Sequence, residues 1–474
     1  MNYSKEIDMK SDNSNDKRYD VIVCGGGPSG VAAALSASRQ GLKTLLVERY
    51  GFCGGMSTAA LVNPWCGHEF TDPQTGRHGS IIGGIFKEVV QWLNDRGGYG
   101  SYLSPAAFDD ELLKHAYDMI LLASDVDILY HSYLKLAHVE HGRVKAIELF
   151  SKGGTAVYTA EYFIDCSGDG DLAAMAGVPF EVGRRKDGLT QAMTVSFRLA
   201  NVNKDEMLAT RNIRKARALV EPYFQAALRS RELHYPYRPF IHFYDYPRPG
   251  ILHFNMTRIN RVSGLSVEDL TKAEIEGRRQ AFLISNWLIK NVPYFKDAFL
   301  EKVACQVGVR ETRHIIGKYR VEQGDITTAK KFHDGIARSR YFIDIHNPTG
   351  AHDVQQKHGT QGALNKSFGP PDGDYYEIPY RSLIADGFPN LIVACRALSA
   401  SHEASAAIRV MATMHGIGEA AGIAVNIAKE QDAAVNEVDG RLIKSRIDYM
   451  NEGADFDELW NAECGFPWTD SAVH

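Results

Sequence analysis

The chain of 474 residues is 44% hydrophobic, with 53 Lys and Arg against 58 Asp and Glu and a formal net charge of -5. That is enough apolar mass for a large core and two or three domain equivalents, and it lacks the basic excess that nucleic acid or an anionic membrane surface demands. Its seven cysteines (Cys24, Cys53, Cys66, Cys166, Cys305, Cys395, Cys464) stand singly, which excludes a CxxC redox motif and zinc-type Cys/His spacing, so no metal is expected and a reducing, cytoplasmic setting is.

Residues 1–17 are polar and without periodicity, and they read as a disordered tail. No signal-peptide core is visible there, and no later stretch approaches the roughly 18 apolar residues of a membrane span. Residues 19–48 then give strand ("YDVIVC"), tight turn ("GGGPSG"), helix ("VAAALSASRQ") and a second buried strand ("GLKTLLVE"), a βαβ unit. A helix is expected at "GGIFKEVVQWLNDRG", and another at "SPAAFDDELLKHAYDMILLAS", with Ser104 capping its first turn ahead of Pro105. From about 126 to 166, three strand-like runs separated by turn residues predict an antiparallel meander.

The block 180–371 is richer in Arg, aromatics and Pro, and it reads as a second, α+β substrate or cap domain inserted into the first. Residues 372–430, with "NLIVACRALSASHEASAAIRVMATMHGIGEAAGIAV", return to buried strand, loop and small-residue helix, closing the first domain (18–179 plus 372–430). Residues 431–474 form a C-terminal helical segment in which "GRLIKSRIDYMNEG" reads as one surface helix. The expected fold class is therefore α/β, a Rossmann-like parallel sheet with a β-meander plus the inserted domain.

The glycines at 25, 27 and 30 end a strand, open a helix and are followed by Glu48 at the end of the second strand. Gly25 permits the sharp reversal, Gly27 admits a pyrophosphate to the backbone, Gly30 lets helix and strand pack closely, and Glu48 can accept ribose hydroxyls. FAD and NAD share this cradle. Gly51, Gly54 and Gly55 after it, "FIDCSGDGDLA" at 163–173 and the distal "NLIVACRALSASHEASAAIRV" are three remote segments that could converge on one long ligand, which suits FAD; the last is expected to aim its helix N-terminus at the flavin.

In these stretches, together with "GVRETRHIIGKY" and "YEIPYRSLI", the chain resembles the FAD-dependent oxidoreductase family of the glutathione-reductase-like and hydroxybenzoate-hydroxylase-like flavoprotein superfamily. The resemblance implies redox chemistry on bound FAD. It implies Gly25, Gly27, Ser29 and Gly30 at the pyrophosphate, Glu48 at the adenosine ribose, Arg49, Gly55, Met56 and Ser57 along the cofactor, and Arg396, Ala404 and Ile408 toward the flavin. Pro28, Gly54, Gly168, Asp169 and Glu403 complete the expected cofactor-binding set.

No second glycine fingerprint follows a strand, so a dedicated NAD(P)H domain is not expected; "GIGEAAG" at 416–422 reads as close helix packing. What remains is hydride transfer between flavin N5 and a small polar organic substrate, the reading of a dehydrogenase or reductase. An NAD(P)H-using flavin monooxygenase and a nucleotide-binding module without catalysis are the alternatives. The catalytic candidates are His402, His346 and Arg310, each competing with a structural role: capping for His402, turn stabilisation for His346, interdomain pairing for Arg310. On an alternating strand Arg310, Thr312 and His314 would share one face. Arg409 is expected to pair with a carboxylate. Cys53 is either a small buried group or a covalent flavin anchor, and Tyr237, His242 and Tyr244 could line a pocket or a core.

Overall fold

The computed structural model describes residues 17–233, 239–350 and 368–452. The first sixteen residues, Tyr237 and Cys464 lie outside them.

The apolar, β-branched run of β1 (Arg18–Cys24) is buried on both faces and hydrogen-bonds in parallel to β2 (Thr44–Val47), with Val21 opposite Thr44 and Cys24 opposite Val47. β2 pairs in parallel with β3 (Asp127–Leu129). The meander follows as β4 (Tyr133–Glu140), β5 (Arg143–Ser151) and β6 (Gly154–Asp165), successive antiparallel neighbours. β6 belongs to two arrangements. Its first half pairs antiparallel with β5, and its second half runs parallel to β1 and to β11 (Leu391–Val393), which arrives from far along the chain. The sheet therefore reads β3-β2-β1-β6-β5-β4, with β11 alongside β6, a Rossmann-like α/β sheet carrying a meander.

Helices cover the sheet. α1 (Pro28–Arg39) packs on α6 (Met411–Glu430) at very short range: a Cβ on Gly418 would stand 2.0 Å from the Ser29 carbonyl oxygen, and one on Gly422 2.7 Å from that of Ala33. Small residues in "GIGEAAG" thus let two backbones touch. α2 (Gly84–Asn94) and α3 (Asp110–Leu122) complete this layer. The expected start of α3 at Ser104 is corrected: 104–108 is a strand, and Asp109 is the cap, its carboxylate accepting the N–H of Glu111 at 3.0 Å and of Leu112 at 3.1 Å. Asp109, Asp110 and Glu111 crowd the positive end of the helix dipole, which outweighs the Ser-Pro signal. The single helix expected near 441–452 is two short ones, Gly440–Ser445 and Asp448–Glu452.

The Glu419 side chain of α6 is buried against the start of α2, where it accepts the Ile85 N–H at 3.2 Å. Burial pushes its carboxyl up from 4.5 to about 7. Between those values the folded state holds a proton that the unfolded chain releases, so stability falls as pH rises through that window, by on the order of 3 kcal/mol. Glu419→Gln, which keeps an acceptor for Ile85, is expected to raise stability at pH 8 and leave it little changed at pH 4.5; urea denaturation at the two pH values measures this.

A second, antiparallel sheet, in the order β8 (Phe243–Asp245), β9 (Leu252–Phe254), β7 (Phe197–Ala200), β10 (Phe299–Val303), builds its own apolar cluster with Phe224 and Trp287 on flanking helices, the latter on α4 (Val267–Asn291). The two sheets are tied by buried charge. Arg198 on β7 meets Asp110 at the start of α3 at 2.5 Å, and Asp110 also receives Lys302 at 2.9 Å and the Tyr246 hydroxyl at 2.8 Å.

Candidate functional site

A cleft of about 440 Å³ opens where the parallel strands end: Gly25, Glu48, Cys166 and Cys395 each lie one or two residues beyond such a strand, and all four line it. Carboxyl ends of parallel strands are where open α/β sheets bind ligands.

The glycine turn divides its tasks. Gly25 has φ +106°, and a Cβ there would sit 2.3 Å from the Cys166 carbonyl oxygen; one on Gly30 would sit 1.7 Å from that of Gly25. Gly27, at φ -69°, has no atom within 4 Å of a built Cβ and lines the cleft, so its missing side chain keeps ligand space open. α1 starts with no side-chain cap and no acid in its first turn, leaving N–H donors and partial positive charge beside Pro28 and Ser29 in the cleft wall. Glu48 braces the turn: its carboxylate accepts the N–H of Gly26 at 2.6 Å and of Tyr50 at 2.9 Å, and burial raises its pKa despite those donors. Arg49, Gly55, Met56, Gly168 and Arg396 line the cleft as well.

Others of the expected set stand behind the wall. Gly54 donates its N–H to Gly26 at 2.7 Å, holding the second glycine segment on the first. Ser57 is buried with its hydroxyl 2.8 Å from the Met411 sulfur, and Asp169 is held by Arg396 at 2.5 Å and by the Thr312 hydroxyl at 2.6 Å. Cys53 is fully buried outside the cleft wall, its thiol pushed up by burial.

The distal segment needs a correction. α5 (His402–Ile408), expected at the flavin with Glu403, Ala404 and Ile408, does not border the cleft. The next helix does: Val410, Met411 and Met414 line it, and α6 begins with neither side-chain cap nor acid in its first turn. The small residues of α5 are buried for packing, and the break at Arg409 delivers a fresh, longer helix to the cleft.

Residues of the second sheet form the remaining wall. His242 and Tyr244 on and beside β8 meet at 2.9 Å, Asn255 follows β9, and Thr194 and Ser196 precede β7. The loop 341–346 adds Tyr341, Phe342, Asp344 and His346. Asp344 Oδ2 lies 3.1 Å from both the Tyr341 hydroxyl and His346 Nε2. Arg310 lines the cleft with its guanidinium donating to the Ala192 carbonyl. Sequence reasoning overlooked Asp344, although "DIH" placed an acid two residues before a singled-out histidine.

The expected alternation of Arg310, Thr312 and His314 fails because the strand is only Arg313–Ile315. Glu311 instead turns inward, where its carboxylate accepts His314 Nε2 at 2.9 Å, His402 Nδ1 at 2.8 Å and the Gln191 N–H at 2.9 Å. Burial alone would raise that carboxyl, but the two histidines hold it at about 2. His402 thus meets Glu311 in the interior and not the cleft.

A family model described as FAD dependent oxidoreductase matches residues 20–447. The chain belongs to that family. Its cofactor is FAD, and it is an oxidoreductase. Short stretches are similar to curated proteins: 57% identity over 37 residues with dihydrolipoyl dehydrogenase of Trypanosoma brucei brucei, covering 8% of each chain. A second, with thioredoxin reductase of Listeria monocytogenes, has 50% identity over 52 residues, 10% of this chain and 16% of the relative. The chain thus spans well under a fifth of the length of these relatives. Among solved structures, a geranylgeranyl bacteriochlorophyll reductase-like protein from Thermoplasma acidophilum aligns over 92% of both chains at 14% identity, with a TM-score of 0.42. Among the described residues no helix is long and apolar enough to cross a membrane.

The residues present fit FAD. Gly27 leaves room at the start of α1, two uncapped helices of 12 and 20 residues begin at the cleft, and both offer N–H groups suited to anionic or carbonyl oxygens.

Proposed function

We propose that this oxidoreductase moves a hydride between flavin and a small polar organic substrate in the cleft between the glycine turn and the loop 341–346. Bound there, FAD supplies the two-electron acceptor or donor at its N5 position. The observation that carries the reading is the Asp344–His346 pair. A hydride leaving a carbon that bears O–H or N–H requires the other proton to go to a base. His346 Nε2 lies 3.1 Å from Asp344 Oδ2, so an imidazolium formed by proton uptake at the other ring nitrogen has its counter-ion already in place. Tyr341, donating to the same oxygen, fixes that carboxylate. Gly25, Gly27, Pro28, Ser29 and Gly30 take the pyrophosphate in this reading, Glu48 the ribose, and Arg49, Gly55 and Met56 run along the dinucleotide. His402 acts at a distance, through Glu311, to set the Gln191 segment whose side-chain oxygen accepts the His346 backbone N–H at 3.2 Å.

Anaerobic screening of small alcohols, amines and acids for bleaching of the bound flavin tests the reading. At least one is expected to reduce it stoichiometrically; a broad panel that leaves the flavin oxidised counts against the proposal. With the active compound in hand, His346→Asn is expected to slow flavin reduction by about 10²- to 10⁴-fold at unchanged flavin content. A variant that reduces as fast as the parent removes His346 from the mechanism.

A further inference from the structure

We infer that the substrate is a carboxylate, anchored by Arg409 beside the segment that carries His346, with Arg310 also in the cleft wall. The inference rests on the reading that substrate enters this cleft. Arg409, expected to pair with a carboxylate, has no such partner among the described residues. Among the described residues its guanidinium makes one hydrogen bond, from a terminal nitrogen to the backbone carbonyl of Asp344 at 3.3 Å, while its Nε is buried with no partner there. Among the described residues no carboxylate lies within ion-pair distance of it; the Asp344 carboxylate is turned to Tyr341 and His346. A part-buried guanidinium with five donors and no counter-ion among the described residues is costly unless an anion arrives to meet it.

The surroundings place that anion. Four guanidinium groups line the cleft (Arg49, Arg310, Arg396, Arg409) against two carboxylates, Glu48 and Asp344. Arg396 is neutralised by Asp169, and Arg49 lies next to Glu48 on the glycine-turn side with Gln306 at 3.0 Å. At the loop, Arg409 bonds the carbonyl of Asp344, and Arg310 bonds that of Ala192, whose own N–H donates to the His346 carbonyl at 3.1 Å. Both cations are thus mounted on the peptide frame of the proton acceptor. A planar carboxylate matches a guanidinium with two parallel hydrogen bonds, and an acid held there presents its neighbouring carbon to His346. The buried Asn255 amide oxygen, also without a partner and also in the cleft wall, suits a hydroxyl or amino donor on such an acid.

The test is titration of the FAD-loaded protein with acetate, glycolate, glycine and benzoate, with the matching amides and with inorganic phosphate, followed by flavin difference spectra. At least one carboxylate is expected to perturb the flavin saturably, its amide is not, and Arg409→Gln is expected to weaken that carboxylate by about 10- to 100-fold while retaining flavin. Arg409→Lys, which keeps the charge and loses the fork, is expected to fall between. Equal response to acids and amides, carboxylate affinity unchanged in both variants, or a preference for phosphate overturns the anchor and leaves the cleft reading standing. No perturbation by any compound overturns both. Loss of flavin from both variants overturns the anchor by assigning Arg409 to the cofactor.

Discussion

Gly27→Val is expected to yield a folded protein that no longer retains flavin. Gly27 has an ordinary backbone conformation and nothing within 4 Å of a built Cβ, so the first carbon of the new side chain strains neither chain nor packing. The added isopropyl group occupies the space at the start of α1 where a diphosphate would approach the backbone. Thermal denaturation without cofactor should match the parent within about 1 kcal/mol, while flavin content after purification falls to near zero. Gly25→Ala provides the contrast: its φ of +106° and the Cys166 oxygen 2.3 Å away mean that even a methyl group disturbs the centre of the sheet. That variant should lose cofactor and stability together. Full flavin retention by Gly27→Val would show that the diphosphate does not lie on this turn.

Asp110→Ala is expected to cause a large loss of stability at a position outside the cleft. It leaves Arg198, only 3% exposed, with a buried charge whose nearest partner is gone; Glu301 at 3.0 Å is its remaining acid. Removing one member of a buried ion pair costs about 3–5 kcal/mol, and here Lys302 and the Tyr246 hydroxyl lose the same carboxylate. Chemical denaturation should show the loss. Arg198→Met/Asp110→Leu, which removes both charges, should recover much of it, because an apolar pair owes no desolvation.

What could be read from the sequence was what neighbours in the chain decide. The strand, glycine turn and helix at 19–39 are a local pattern of apolar run, breaker and small residues, and "GIGEAAG" announced close packing because only glycine and alanine fit two touching backbones. Ser104 misled because a plausible cap stood five residues before a better one, and only the acids at 109–111 tell them apart. The site's far wall was out of reach for a different reason. Asp344, Asn255 and Arg409 are unremarkable in their own segments, and their chemistry arises where a loop, a second sheet and the gap between two helices meet. His402 and Glu311, 91 residues apart, became partners only through burial. The uncapped start of α6 lay in plain view at Val410, yet a Ser-His-Glu beginning at 401 looked like the stronger helix start and is one; it serves the core.

The contact of α1 with α6 joins residues almost four hundred positions apart. A growing polypeptide on the ribosome will have made its first phosphate-binding turn long before the helix that steadies it exists. Cofactor capture is therefore a late event in the life of this chain, and any shortened product ending before about residue 420 should emerge colourless however sound its first strands are.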